Sequence, residues 1–112
     1  MTAYHITERD NLPSILKFGL RPHTSPAYEH EGAKAVFLTR YRPTSENILG
    51  WEDLFDPVIL VVELPKYFTI YEDEAGMEIY PEVEPIYTTR TIPARYIQMV
   101  LEVPENVRGQ ND

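Results

Sequence analysis

The chain contains no cysteine, which excludes disulfides and thiolate metal sites. No apolar run approaches the roughly 20 residues that cross a bilayer. No leader is expected, since the first strand-like stretch follows directly on Met1-Thr2-Ala3. The expectation is a soluble cytoplasmic protein without membrane association. Internal repeats and linkers are absent too. Basic residues are few: 10 Lys and Arg stand against 18 Asp and Glu, for a net charge of −8. The deficit is uneven, with residues 1–43 carrying +2 and residues 44–112 carrying −10. Such a distribution argues against a uniform basic face for nucleic acid. In one reading the acidic half serves solubility. In a sharper one, Arg21, Lys34, Arg40 and Arg42 gather at one mouth and meet phosphates.

A length of 112 residues supports one domain, able to bury roughly 60–70% of its unfolded surface. That domain is expected over residues 1–103. Residues 104–112 have little to bury and are expected to fray. The first twenty residues organise the rest. Ala3 to Thr7 reads as a strand carrying His5, and Glu8 to Phe18 as a helix. Thr7 is placed to cap the helix, with Asp10 three residues on, close to a capping box. Leu12, Ile15 and Leu16 recur at i, i+3, i+4. Pro13 falls near the first turn, where it is tolerated. Lys17 suits the negative helix end, and Gly19 the positive-φ position that terminates it. A polar strand end followed by a helix start favours anionic or polar ligands.

Residues 21–32 form a loop punctuated by Pro22, Pro26 and Gly32. Its His23, Glu29, His30 and Glu31 match no common zinc spacing. Ala33 to Thr39 alternates as a strand, with Val36 and Leu38 on one face and Phe37 and Thr39 on the other. Ser45 to Phe55 suits a short helix. Pro57 to Leu64 is a continuous apolar run, expected to be a central strand covered on both faces. Tyr67 to Tyr71 reads as an edge or extended segment, and Glu72 to Gly76 as an acidic turn. Val83 to Thr91 reads as a strand in which Pro85 demands an edge or a bulge. After a turn at Ala94 to Tyr96, the last strand runs from Ile97 to Val103. The class is α+β: a small single domain with one early helix.

Tyr4-His5-Ile6-Thr7, Asn11-Leu12, Ser14-Ile15-Leu16 and Gly19-Leu20 together resemble the opening of the ADP-ribosyltransferase-like fold. The stretch is most similar to the DarT-type DNA ADP-ribosyltransferases and, more distantly, to the KptA-type RNA 2′-phosphotransferases. A weaker likeness covers residues 35–40 and 82–97. The resemblance implies split β-sheets with an NAD cleft between them. It implies that His5, Thr7 and Gly19 line an NAD or ADP-ribose pocket, and that Arg40, or else Arg42, meets the pyrophosphate. It also implies a catalytic Glu84, with Glu82 two residues earlier orienting the nucleophile; Glu78 and Glu63 are the rivals. His5 and Glu84 would then face one cleft from neighbouring strands. His5 would position the nicotinamide-side ribose, and Glu84 would stabilise an oxocarbenium-like state, as carboxylates do in glycoside cleavage.

Each of these residues has a plainer reading. A lone strand histidine is commonly a satisfied structural residue, Arg40 a surface ion pair, and the two glutamates solvated carboxylates. The leading expectation is an NAD-dependent mono-ADP-ribosyltransferase or NAD-cleaving enzyme, toxin-like and without metal. Its acceptor is a nucleic acid, a protein or water, and an antitoxin-like protein is a possible partner. The alternative is a catalytically inactive domain of the same fold that binds a protein partner or ADP-ribose. A KptA-like phosphotransfer to NAD is a third reading, set back by the scarcity of basic residues.

Overall fold

The computed structural model describes residues 1–24, 34–44 and 54–103. The apolar run expected to be central is β4 (Pro57–Glu63). Its Val58, Ile59, Leu60 and Val62 are at most 1% exposed. β4 lies between β1 (Thr2–Glu8) and β7 (Ile97–Glu102), antiparallel to both. Burial on both faces explains the unbroken run of apolar residues. β1 pairs with β4 along its whole length, from Thr2↔Glu63 to Glu8↔Pro57. At the far end of this ladder Arg9 gathers three strand ends. Its Nε donates to Asp56 at 2.8 Å and its Nη1 to Glu102 at 2.8 Å.

The remaining strands are β2 (His23–Thr24), β3 (Lys34–Thr39), β5 (Tyr71–Glu72) and β6 (Pro85–Thr88). The sheet runs β5-β6-β3-β1-β4-β7, with β2 paired to β3 beside that path. Instead of two separate sheets there is one antiparallel path that parts between β1 and β3. The two are matched there by a single pair, Tyr4↔Thr39. On one side stands the β1-β4-β7 ladder, on the other β3-β6-β5.

Strand alternation sends Ala3, His5 and Thr7 to one face of β1, and all three are buried. Tyr4 and Ile6 point to the other face, where they pack near Ile59, Leu101 and Val103. The main core draws on both sides of the parting: Ala3, Leu60 and Val62 from one, Val36, Leu38 and Ile86 from the other. Val36 and Leu38 thus share the face expected of them. Ile15 of α1 (Leu12–Phe18), together with Leu20 and Ile92, closes this core.

The helix is shorter than its pattern predicts. Residues 9–11 form a 3₁₀ turn and α1 starts at Leu12. β1 continues through Glu8, because the Glu8↔Pro57 pair and the Arg9 N–H bond to the Asp56 carbonyl extend the ladder. Thr7 is therefore a strand residue and caps nothing; its hydroxyl accepts from Asn11 Nδ2 at 3.1 Å. Of the expected stripe, Ile15 is buried and Leu12 half-buried, but Leu16 is 54% exposed. The helix ends at Phe18 as predicted, with Gly19 at φ 82°.

The acidic stretch after β5 is not a plain turn. Asp73 accepts from the Gly76 N–H at 3.1 Å and caps α2 (Glu74–Ile79). Nor does a strand begin at Val83. Pro81–Val83 is a 3₁₀ turn, Glu84 is left-handed at φ 48°, and β6 opens on Pro85. A first strand position needs no N–H from proline, and the Pro85 carbonyl accepts from Asp73 N–H. The turn at Ala94–Tyr96 is 3₁₀, and the last strand runs from Ile97 as expected. The helix expected over Ser45 to Phe55 falls at residues 45–53 outside the described residues, as do residues 104–112.

Candidate functional site

The parting between β1 and β3 opens toward α1. At that opening lies a cavity of about 200 Å³. β1 supplies His5 and Thr7; the 3₁₀ turn supplies Asn11 and the start of α1 Ser14; Arg21 and, from β2, His23 follow. Ile15, Gly19, Leu20 and Val36 form its apolar wall.

His5 stands where the β1–β3 ladder fails. Its Nδ1 lies 2.8 Å from the Phe37 carbonyl oxygen, replacing by a side chain the backbone bond that the parted strands do not make. A carbonyl only accepts, so Nδ1 carries the proton and donates. Nε2 is then an acceptor, and it has no hydrogen-bond partner among the described residues. Burial pushes the imidazole pKa down to about 4; the Phe37 hydrogen bond pulls the other way, and His23 nearby adds to the fall. At neutral pH His5 is therefore uncharged. It offers the cavity one acceptor in a fixed orientation, suited to a hydroxyl donor such as those of a ribose.

Gly19 makes the back of the cavity possible. At φ 82° and ψ −177° it turns the chain so that Leu20 exchanges both backbone bonds with Ile92, at 2.8 and 2.9 Å. A Cβ at Gly19 would collide with the Ile92 carbonyl oxygen and stand 3.3 Å from the Ala94 nitrogen.

Of the residues named from sequence, His5, Thr7 and Gly19 come together here. Arg40, Arg42, Glu82 and Glu84 do not line this cavity. Arg40 instead bonds by its N–H to the Val83 and Glu84 carbonyls, and its Nε stands 3.9 Å from Glu84 Oε1. Arg42 is exposed, as are Glu78 and Glu82. Glu82 sits in the 3₁₀ turn and Glu84 is left-handed, so the period of two that would align them on a strand face does not apply. β3 separates the His5 strand from β6, so His5 and Glu84 are not on neighbouring strands. Glu63 is committed elsewhere: it accepts from Thr2 Oγ1 at 2.7 Å and from the Met1 ammonium at 3.2 Å. The Thr2 hydroxyl and that ammonium hold its carboxyl below the usual range.

Asn11, Ser14 and Val36 were not singled out as site residues, although Asn11, Ser14 and Ile15 follow i, i+3, i+4 spacing. That spacing is the signal for a polar edge beside the buried Ile15. Among the described residues, no group of His, Asp and Glu side chains is placed to hold a metal ion. No helix among them is long and apolar enough to cross a membrane.

Comparison with known proteins brought no match: no family model, no curated protein and no solved structure is significantly similar to the chain.

Proposed function

We propose that the His5 cavity binds the ribose of a nucleotide of the NAD or ADP-ribose type, with Arg21 taking the adjoining phosphate. The observation that carries this reading is the neutral His5, whose Nδ1 is spent on Phe37 and whose Nε2 is left as an acceptor beside Thr7, Asn11 and Ser14. Uncharged acceptors and amide or hydroxyl donors around a small cavity suit a sugar. A guanidinium at the rim suits a phosphate. A volume of about 200 Å³ is smaller than the roughly 300–1,000 Å³ of pockets that engulf a drug-sized ligand. It accommodates one ribose with its neighbouring group, while the rest of the dinucleotide extends outward.

A second reading adds cleavage of NAD, and Glu84 favours it. A glutamate held left-handed is strained, and such strain concentrates at functional positions. In that reading Glu84, paired to Arg40, faces the developing cation after the ligand has drawn the two sides of the sheet together.

Calorimetric titration with NAD and with ADP-ribose tests the first reading. Both are expected to bind, and His5→Ala is expected to weaken both. Absence of heat with either, together with an unmoved His5 resonance, refutes it. Release of nicotinamide from NAD, abolished by Glu84→Gln with affinity unchanged, would establish the second.

A further inference from the structure

All four cation–π contacts among the described residues lie on one part of the surface. Lys17 Nζ and the Arg21 guanidinium stand 5.1 and 4.9 Å from the Phe18 ring centre. The Arg90 guanidinium stands 5.0 Å from that of Phe68, and Arg95 4.8 Å from that of Tyr96. Phe68 and Tyr96 meet edge to face at 6.4 Å, which joins the last two pairs. The Leu20↔Ile92 bridge stitches segment 17–21 to segment 90–96. None of these four cations has a carboxylate partner among the described residues, whereas Arg9 and Arg40 do. In a chain of net charge −8, four cations on adjoining segments with no carboxylate partner among the described residues are a local reversal of sign.

We infer that this surface docks an acidic segment of a partner protein. Three features point to that chemistry. First, the charge is complementary to carboxylates, and each guanidinium is held in place by a ring, which reduces the freedom lost on forming a forked bond. Second, aromatic side chains accompany the cations: Phe18 is 50% and Tyr67 69% open to solvent, Tyr96 is half-buried, and Phe68 is buried beneath Arg90. Arginine and aromatic residues are the types that dominate interface energetics. Third, Tyr67 Oη and Tyr96 Oη are 3.0 Å apart, with Arg95 Nη2 3.3 Å from the latter. One hydroxyl proton and one guanidinium N–H are spent within this chain of bonds, which leaves the second hydroxyl proton and the other Arg95 N–H groups to meet a carboxylate. A single-stranded nucleic acid is disfavoured, because stacking requires open ring faces, and here the chain's own cations lie over Phe18, Phe68 and Tyr96 and leave Tyr67 alone uncovered. Arg21 also lines the cavity, so a docked partner would sit at the cavity mouth.

The test is fluorescence anisotropy with three probes. They are a labelled peptide alternating acidic and aliphatic residues, its Gln-for-Glu and Asn-for-Asp counterpart, and an oligothymidylate of equal charge. The acidic peptide is expected to bind, more weakly as salt rises, and the amide counterpart to bind at least tenfold more weakly. R90Q/R95Q, at two positions that do not line the His5 cavity, is expected to weaken the acidic peptide roughly tenfold while leaving ADP-ribose titrations unchanged. F18A is expected to weaken it without altering salt dependence. Equal affinity of wild type and R90Q/R95Q for the peptide, or tighter binding of the oligothymidylate, overturns the inference.

Discussion

Replacing Gly19 by alanine is expected to cost more than the same change at Gly76, the other glycine among the described residues. Two effects add. At φ 82° and ψ −177° the backbone is in a region essentially restricted to glycine, which disfavours a side chain by about 1–3 kcal/mol. The new Cβ would also strike the Ile92 carbonyl oxygen and crowd the Ala94 nitrogen, and such overpacking costs about 1–3 kcal/mol. Both obstacles are backbone, so no side chain can swing away. Ile92 is held by its paired bonds to Leu20, and both residues are in the core. The sum is about 2–6 kcal/mol, against a total stability of about 5–15 kcal/mol for a domain of this kind. At roughly 4 °C per kcal/mol, the melting temperature is expected to fall by roughly 8–24 °C. Urea denaturation followed by far-ultraviolet dichroism gives the free energy directly, with the slope m unchanged if only the native state is affected. Gly76→Ala is the control: its Cβ would meet the Asp73 carboxylate and the Pro85 side chain, but its φ is not positive. A loss below 1 kcal/mol at Gly19 would refute the account, because it would mean that the 92–94 backbone moves freely away from the helix end.

His5 makes stability pH-dependent. Its folded pKa of about 4 lies below the ordinary 6.5, so the unfolded chain binds the extra proton first. The contribution is whole above pH 6.5 and is lost as pH falls from there toward 4, amounting to about 3 kcal/mol. His5→Asn keeps a donor for Phe37 but does not titrate, and should flatten the decline in a series of urea midpoints. Asp73→Ala removes the α2 cap and is expected to cost about 1 kcal/mol by the same assay, with Asp73→Asn recovering most of it. Glu84→Gly relieves left-handed strain at the price of backbone entropy; a change between about 0 and +1 kcal/mol is expected, and clear destabilisation would show that the Arg40 contact matters more than the strain.

Where residues act through neighbours in sequence, the fold was legible. Lys17-Phe18-Gly19-Leu20 announced the helix end and its positive φ. The unbroken run from Pro57 announced a strand buried on both faces, and alternation in β3 placed Val36 and Leu38 together. The misreadings came where a long-range partner outbid a local preference. Thr7 was suited to capping, but the β4 ladder fifty residues away holds it in a strand. Asp73 is a local misreading instead: its stretch read as an acidic turn, yet the residue is 9% exposed and caps a helix through Gly76, three residues on. Glu82 and Glu84 looked like one strand face because Val83 to Thr91 alternates; the 3₁₀ turn and Glu84's φ are set by bonds from Arg40 and Tyr41 N–H to Val83. The cavity was half legible. His5, Thr7 and Gly19 were marked, but that Arg21 and Val36 meet them depends on where β1 and β3 part, which no local pattern encodes.

That parting has a mechanical meaning. The backbone ladder that makes a sheet stiff runs along each side, broken in β4–β7 only by a register shift between Val61 and Val62, but is reduced between β1 and β3 to one pair and the His5–Phe37 bond. Across the seam the two sides are joined chiefly by side-chain packing beneath it, with α1 as the strap. Two cooperative units of unequal resistance to opening should result. Amides of β1, β4 and β7 should exchange last, and those of β3 facing the seam earlier. A molecule held between His5 and Val36 would act as a rivet, slowing exchange on both sides at once.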